Sequence, residues 1–135
     1  MGIIPEMPIS KPRILIVDDH PDSRVIMVMA MERWGYEVVE ARDGKEAMGQ
    51  IEAVDFALLL IDIAMPFIGG RELARSIRSN PRTKHIPLLA VTALDTSENR
   101  KLCSQAGFDD FLPKPFSIDE LEAKVTTLLS KKRPK

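Results

Sequence analysis

Short apolar segments alternate with longer segments of helical period along this chain from Arg13 onward. The apolar segments predict five strands, at Ile14–Val17, Tyr36–Val39, Ala57–Ile61, Leu88–Val91 and Asp110–Leu112. The first, third and fourth of these segments are nearly all apolar, which is typical of parallel strands covered on both faces. Strands that alternate with helices predict an α/β fold, in which a doubly wound parallel sheet of five strands is covered by five helices.

The predicted helices carry their own start signals. Pro21 suits the first turn of the first helix. Asp43 with Glu46, and Ser117 with Glu120, have the spacing of a capping box, in which each side chain bonds the backbone amide of the other residue. Three helix ends are marked by glycine or proline, at Gly35, Pro81 and Gly107. These signals support the same alternation of strands and helices.

The first helix is apolar on almost every face. Helical spacing assigns one face to the core, namely Ile26, Met27, Ala30, Met31 and Trp34. Val25, Val28 and Met29 lie opposite that face. Because a surface helix normally carries one apolar stripe, this second stripe predicts a docking surface, with scattered exposed side chains as the alternative. The last helix carries a single predicted core stripe, formed by Ile118, Leu121, Val125 and Leu128.

Composition limits the class of protein. The chain has 135 residues, a net charge of -1 and one cysteine, Cys103. This length predicts a single domain that folds without an intrachain disulfide, and we expect it in the cytoplasm. The longest apolar run, Phe56 to Ile61, is too short to span a membrane, and the near-zero charge argues against nucleic-acid binding. We expect an extended arm over residues 1–12, the domain over 13–130 and a basic tail over 131–135.

Polar residues follow four of the five predicted strands. Asp18 and Asp19 follow the first strand, Asp62 the third, Thr92 the fourth, and Lys114 lies just after the fifth. Since the carboxyl ends of parallel strands meet at one edge of a sheet, these side chains should converge there. Three neighbouring carboxylates repel one another, and their oxygens are the ligands that Mg²⁺ prefers. A carboxylate can also accept a phosphoryl group, which the metal and a lysine would stabilise. The alternative for a single aspartate is a helix cap.

These residues form motifs that resemble the receiver domain of response regulators in two-component signalling. The motifs are Val17-Asp18-Asp19-His20, Ile61-Asp62-Ile63-Ala64-Met65-Pro66 with Gly70, Val91-Thr92-Ala93 and Phe111-Leu112-Pro113-Lys114-Pro115. The resemblance covers roughly residues 13–130. It implies a flavodoxin-like fold, similar to chemotaxis regulators, with strand order 2-1-3-4-5.

The resemblance also implies roles at the metal and phosphorylation site. Asp62 would accept the phosphoryl group from a histidine kinase or a histidine phosphotransfer protein. Asp19 would bind Mg²⁺ directly, Asp18 would assist through water, and the backbone carbonyl of Ala64 would complete the protein ligands. We expect His20 to be a neighbour of the helix cap rather than a metal ligand.

Three further residues would connect phosphorylation to the surface. Lys114 would pair with Asp62 at rest, and its peptide bond to Pro115 would be cis. Thr92 would donate to a phosphoryl oxygen, and Phe111 would swing inward as the switch aromatic, with a plain core ring as the alternative. The face formed by the fourth helix, the fifth strand and the fifth helix would then contact a downstream protein target.

Two departures from the family pattern bear on this function. Gly69 stands where the family often has an aspartate, so we expect a more flexible loop with unchanged chemistry. Ala64 and Leu94 each lie two residues after a key site, and neither side chain can hydrogen-bond an attacking water. We therefore expect the aspartyl phosphate to be hydrolysed slowly.

The sequence thus predicts a signalling switch rather than an enzyme, present as a monomer or weak dimer. Helix one is a usual docking face for the phosphodonor in receivers, so Val25, Val28 and Met29 are expected to contact it. A degenerate receiver that only binds proteins is the main alternative, although it would be expected to lack Asp62, Asp19 or Lys114. A flavodoxin-like nucleotide-binding module would need a glycine-rich loop after the first strand, and an aspartate-nucleophile phosphatase would need an acid where His20 stands.

Overall fold

The computed structural model describes residues 11–65 and 69–131. Five strands alternate with five helices, in the order β1 Arg13–Val17, α1 Pro21–Arg33, β2 Glu37–Ala41, α2 Gly44–Ala53, β3 Leu58–Asp62, α3 Gly70–Ser79, β4 Leu88–Thr92, α4 Ser97–Ala106, β5 Asp110–Pro113 and α5 Ile118–Ser130. The strands form one parallel sheet in the order β2-β1-β3-β4-β5, which confirms the predicted topology.

The sheet separates two hydrophobic cores. On one face α1 and α5 cover it, through residues such as Met27, Met31 and Leu121. On the other face α2, α3 and α4 cover it, with Ile51, Leu73 and Cys103 among the buried side chains. Every residue of β3 is buried, because this central strand has a strand on each side and helices above and below. Packing around β3 therefore holds the backbone of Asp62 in place.

All five predicted strands differ from the observed strands by one or two residues at one end or both. Strand β2 runs from Glu37 to Ala41 rather than from Tyr36 to Val39. This strand lies at the sheet edge and contains two exposed glutamates, so an apolar run does not mark its limits. Asp62 and Thr92, expected just after their strands, are the last residues of β3 and β4.

The predicted helix signals are confirmed, apart from one half of a capping box. Pro21 lies in the first turn of α1. Ser117 and Glu120 form a complete capping box, in which each side chain accepts from the amide of the other residue. Asp43 accepts from the amide of Glu46 at 2.8 Å, but the Glu46 carboxylate accepts from the amide of Arg42 instead.

The flanks of α1 are assigned differently from the sequence prediction. Ile26, predicted to be in the core, is 50% exposed, whereas Val28, predicted to be outside, packs against the core. Each residue lies about 100° from Met27 around the helix, on opposite sides, so periodicity does not distinguish them. Val25 and Met29 are exposed as predicted. Ile118, predicted to lie in the core stripe of α5, is 47% exposed, so that prediction is wrong.

The predicted terminal segments lie mostly outside the described residues, as do positions 66–68 of the loop that precedes Gly69. Residues 1–10 of the arm and 132–135 of the tail are not described. Among the described residues, no helix combines the length and the apolar character needed to cross a membrane.

Candidate functional site

The carboxyl edge of the sheet brings together the charged residues that the strand ends predicted. Asp18 directly follows β1 and is completely buried, and Asp62 ends β3 with 3% of its surface exposed. Lys114 follows β5 and places its ammonium group between these two carboxylates. The three residues come from widely separated parts of the chain, and the parallel sheet places them side by side.

Lys114 contacts Asp18 more closely than Asp62. Its Nζ lies 3.0 Å from Asp18 Oδ2, 3.0 Å from Ser23 Oγ and 3.4 Å from Asp62 Oδ2. The expected pairing with Asp62 is therefore present but shared. The peptide bond between Lys114 and Pro115 is cis, as the resemblance implied, and the amide of Lys114 donates to the carbonyl oxygen of Thr92 at 2.8 Å.

Ser23 was not predicted from the sequence, although it completes the contacts of Asp18. Its hydroxyl donates to Asp18 Oδ2, while the backbone amide of His20 donates to Asp18 Oδ1 at 2.8 Å. Ser23 lies in the first turn of α1, directly after the Asp18 loop, and that short separation is the signal that could have indicated it.

Burial and these contacts move the pKa values of the two buried carboxyls in opposite directions. Burial alone would raise the pKa of Asp18, but the hydrogen bonds from Ser23, His20 and Lys114 outweigh it, and the pKa lies below its usual value. For Asp62, burial raises the pKa, and the charge of Lys114 only partly offsets the effects of burial and of Asp18. The surroundings of Asp62 therefore disfavour its charged form, and a further cation beside it would stabilise that form.

The acidic cluster has the donor set of a divalent cation site. Oδ1 of Asp19 is buried and has no hydrogen-bond partner among the described residues, so it presents an unused oxygen. One ligand atom from each of Asp18, Asp19, His20 and Asp62 lies within 4.8 Å of the others. A buried carboxylate oxygen that accepts no hydrogen bond is costly unless a cation binds it, so these residues fit Mg²⁺.

His20 lies closer to this cluster than its expected role as a helix-cap neighbour suggested. It is the N-cap residue of α1, but its side chain makes no cap hydrogen bond. Instead Nδ1 lies 3.0 Å from Asp19 Oδ1 and 3.4 Å from both Asp18 Oδ1 and Asp62 Oδ2. The tertiary fold therefore adds a nitrogen to the three carboxylates.

A cleft of about 460 Å³ opens above Asp62. Its lining includes His20, Ala64, Thr92, Leu94 and Lys114. The amide of Ala64 donates to Asp62 Oδ1 at 3.1 Å, and the buried Thr92 hydroxyl accepts from the amide of Leu94 at 3.2 Å. A larger hollow, of about 950 Å³, lies at the opposite edge of the sheet and contains none of these residues.

The predicted switch aromatic, Phe111, is buried in the core shared by α2, α3 and α4. The guanidinium carbon of Arg100, on α4, lies 4.5 Å from the centre of its ring. This contact connects β5 to α4, which are two of the three elements of the expected output face.

Comparison with curated proteins relates the chain to proteins with several kinds of output. It is 37% identical over 127 residues to a probable cyclic di-GMP phosphodiesterase of Vibrio cholerae, covering 94% of this chain and 29% of that protein. It is 39% identical over 114 residues to the CAI-1 autoinducer sensor kinase/phosphatase CqsS of the same species, covering 84% and 17%. It is 38% identical over 122 residues to the response regulator MprA of Mycobacterium avium, covering 90% and 53%. The chain thus spans about half or less of these relatives.

Solved structures match over almost their whole length. A putative response regulator from Chloroflexus aurantiacus is 33% identical with a TM-score of 0.87, covering 90% of this chain and 100% of that chain. The receiver domain of the sensor histidine kinase PA1611 from Pseudomonas aeruginosa is 29% identical with a TM-score of 0.84, with the same coverage. That structure holds a magnesium ion coordinated in its active-site cleft.

A family model, the response regulator receiver domain, matches residues 14–126. This range contains every strand except the first residue of β1, and all the polar residues at the carboxyl edge. The order of the strands, the residues at their carboxyl ends and the matched family agree. The chain belongs to the response regulator receiver domain family.

Proposed function

We propose that this domain is a phosphorylation switch whose phosphoryl acceptor is Asp62. The observation that carries the proposal is the position of this carboxylate, which is buried at the end of the central strand, faces the cleft and lies 3.4 Å from the ammonium of Lys114. Receiver domains are signalling switches, and the donor would be a histidine kinase or a histidine phosphotransfer protein.

The transfer makes one bond and breaks one bond. A carboxylate oxygen of Asp62 attacks the phosphorus atom, the bond from phosphorus to the donor's histidine nitrogen breaks, and that nitrogen leaves with the electron pair. Lys114 then pairs with a phosphoryl oxygen while keeping its 3.0 Å contact with Asp18. Thr92, whose hydroxyl now accepts from the amide of Leu94, turns to donate to another phosphoryl oxygen.

The acidic residues would hold Mg²⁺ beside this acceptor. Asp19 supplies its unpartnered oxygen, Asp62 and Asp18 supply carboxylates, and the carbonyl of Ala64 is the remaining protein ligand. When bound, Mg²⁺ offsets the negative charge that collects on the carboxylates and the transferring phosphoryl group. The magnesium ion in the cleft of the related receiver from Pseudomonas aeruginosa supports this assignment.

Phosphorylation would be read out through Thr92 and Phe111. When Thr92 moves toward the phosphoryl group, the space it leaves accepts the Phe111 ring, which already lies in the core. Arg100 packs over that ring, so a shift of Phe111 would move α4. The face of α4, β5 and α5 would then bind a downstream protein target, in the cytoplasm and without contact to nucleic acid by this domain.

The phosphodonor would dock on α1, beside the cleft. Val25 and Met29 remain candidates for this contact because both are exposed, at 50% and 66%. Val28 is only partly exposed, because it packs against the core, whereas Ile26 is exposed and belongs to the patch. The patch continues onto Ile118 at the start of α5, and Ile26, Met29 and Ile118 line one hollow.

Phosphorylation with a small-molecule donor tests the proposal. The chain is incubated with acetyl phosphate and Mg²⁺, and intact mass is compared for the wild type, Asp62→Asn and Asp55→Asn. Asp55 is the control, because its carboxylate is exposed at the opposite edge of the sheet. We expect one added phosphoryl group on the wild type and on Asp55→Asn, and none on Asp62→Asn. An unmodified wild type would favour a receiver that only binds proteins.

A further inference from the structure

The imidazole of His20 is turned toward the acidic cluster, although most of its surface is exposed. Its side chain is 65% exposed, yet Nδ1 lies within 3.4 Å of an oxygen of each of Asp18, Asp19 and Asp62. The side chain makes no cap hydrogen bond to α1, so capping does not explain this orientation.

We propose that His20 is a ligand of the metal ion in this site, so that the site binds its cation through one imidazole nitrogen as well as carboxylate oxygens. The inference rests on the proposed metal site beside Asp62. It differs from the expectation for His20 drawn from the sequence, because only the tertiary structure places Nδ1 among the three carboxylates.

The distances fit a shared coordination sphere. In an octahedral shell with ligands roughly 2.1 Å from the ion, adjacent ligand atoms lie about 3.0 Å apart. The nitrogen of His20 is 3.0 Å from Asp19 Oδ1 and 3.4 Å from the nearest oxygens of Asp18 and Asp62. The oxygen of Asp19 is the buried atom that has no hydrogen-bond partner among the described residues. The position next to His20 is thus the one where a ligand atom is unused.

Lys114 shares one oxygen of the cluster with His20, namely Oδ2 of Asp62, which lies 3.4 Å from each nitrogen. Its ammonium contacts Oδ2 of Asp18, whereas His20 faces Oδ1 of the same carboxylate. Three carboxylate oxygens lie within 3.4 Å of the His20 nitrogen, and a divalent cation bound among these four ligand atoms would make an attractive contact with each of them. The arrangement therefore favours a bound cation that accepts nitrogen.

A nitrogen ligand changes which ions the site prefers. Mg²⁺ binds oxygen ligands and gains little from imidazole, whereas Ni²⁺ binds imidazole well. His20 would therefore raise the affinity for Ni²⁺ far more than that for Mg²⁺. A cluster of carboxylates alone predicts no such difference between variants at position 20.

Metal titrations of the untagged full chain test this inference. Affinities for Ni²⁺ and for Mg²⁺ are measured by calorimetry for the wild type, His20→Ala and His85→Ala. His85 is the matched control, since it is the second of two histidines and lies outside the cleft. We expect His20→Ala to lose on the order of tenfold in Ni²⁺ affinity and to change Mg²⁺ affinity by less than about twofold. His85→Ala should match the wild type for both ions.

Pulsed electron paramagnetic resonance with Mn²⁺ reports the ligand directly. The His85→Ala chain is labelled with ¹⁵N-histidine, so that His20 is the one labelled side chain. Hyperfine coupling of bound Mn²⁺ to ¹⁵N supports the inference. Bound Mn²⁺ without that coupling, together with equal Ni²⁺ affinities for wild type and His20→Ala, overturns it while Asp62 phosphorylation in Mg²⁺ still stands. If neither Mg²⁺ nor Mn²⁺ binds and acetyl phosphate leaves Asp62 unmodified, the proposed function fails with it.

Discussion

The ammonium group of Lys114 contacts two carboxylates, and the two contacts affect the charge of each carboxylate differently. The ammonium is closer to Asp18 than to Asp62. Oδ2 of Asp18 accepts from both the Lys114 ammonium and the Ser23 hydroxyl. Hydrogen bonds therefore stabilise the charge of the buried Asp18 and lower its pKa, whereas the pKa of Asp62 stays raised by burial. A divalent cation beside Asp62 would offset the cost of keeping this buried carboxylate charged.

Water near the acceptor should be poorly positioned for attack. The side chains of Ala64 and Leu94 both line the cleft, and neither can hydrogen-bond a water molecule. We expect the aspartyl phosphate to be lost slowly and Ala64→Asn to speed its loss at least about tenfold, since a positioned polar group commonly contributes factors of roughly 10²–10⁴. Intact mass against time in Mg²⁺ measures this loss.

The control for that measurement is Ala123→Asn, an exposed position on α5 that lies outside the cleft. It should leave the rate of loss unchanged. A wild-type phosphoprotein that lost its phosphoryl group within seconds would contradict the expectation.

The start of α3 approaches the end of β3 too closely for a side chain. A Cβ atom at Gly70 would lie 2.7 Å from the carbonyl oxygen of Asp62 and 2.7 Å from Cα of Ile63, both backbone atoms. We expect Gly70→Ala to lower the free energy of unfolding by about 1–3 kcal/mol and to slow phosphorylation of Asp62, because the backbone of the acceptor must shift. Urea denaturation and acetyl phosphate labelling measure the two effects.

Gly49 provides the matched control inside α2. A Cβ there would meet nothing within 4 Å, so Gly49→Ala should raise the free energy of unfolding by about 0.5–1 kcal/mol through the better helix propensity of alanine. Equal effects of the two substitutions would show that the close approach at Gly70 does not constrain the site.

Helix α1 contributes to the core and also carries exposed apolar residues, which form the proposed contact surface for the phosphodonor. We expect Met29→Glu to reduce phosphotransfer from the cognate histidine donor by about tenfold, equivalent to about 1.4 kcal/mol of lost binding, because a charge replaces an apolar contact. Labelling by acetyl phosphate should be unchanged. Ala123→Glu, with the same new charge on α5, should leave both reactions as in the wild type, and an equal loss of both reactions in Met29→Glu would refute the contact.

At the scale of the whole molecule, a ligand that binds only the folded state should stabilise the domain. The proposed metal site uses Asp18, Asp19 and Asp62, which come together only when β1 and β3 pair. At an Mg²⁺ concentration ten times its Kd, we expect a gain of about 1.4 kcal/mol in the free energy of unfolding. Calorimetric melting with and without Mg²⁺ measures the gain.

Asp19→Asn should lose most of that gain, since it removes the charge of a carboxylate whose buried Oδ1 accepts no hydrogen bond from the described residues. Glu52→Gln, at an exposed position on α2, should keep the gain. A gain of equal size in Asp19→Asn would place the ion elsewhere.

Much of this fold was predictable because its signals are local or periodic. Buried parallel strands are apolar runs, so β1, β3 and β4 were identified within one residue at each end. Edge strand β2 was misplaced because its exposed glutamates interrupt the run. The residues at the carboxyl edge were predictable because all parallel strands end at the same side, which converts positions in the sequence into one place in space.

The sequence by itself determined the order of strands and helices along the chain, the helix caps at Asp43 and Ser117 and the identity of the charged residues at the sheet edge, since each depends on neighbours along the chain or on the period of one element. The tertiary structure alone decided that Lys114 favours Asp18, that Val28 rather than Ile26 is buried and that His20 turns toward the carboxylates. These outcomes depend on distances of a few ångströms between elements that are far apart in sequence, and helical or strand periodicity carries no information about such distances.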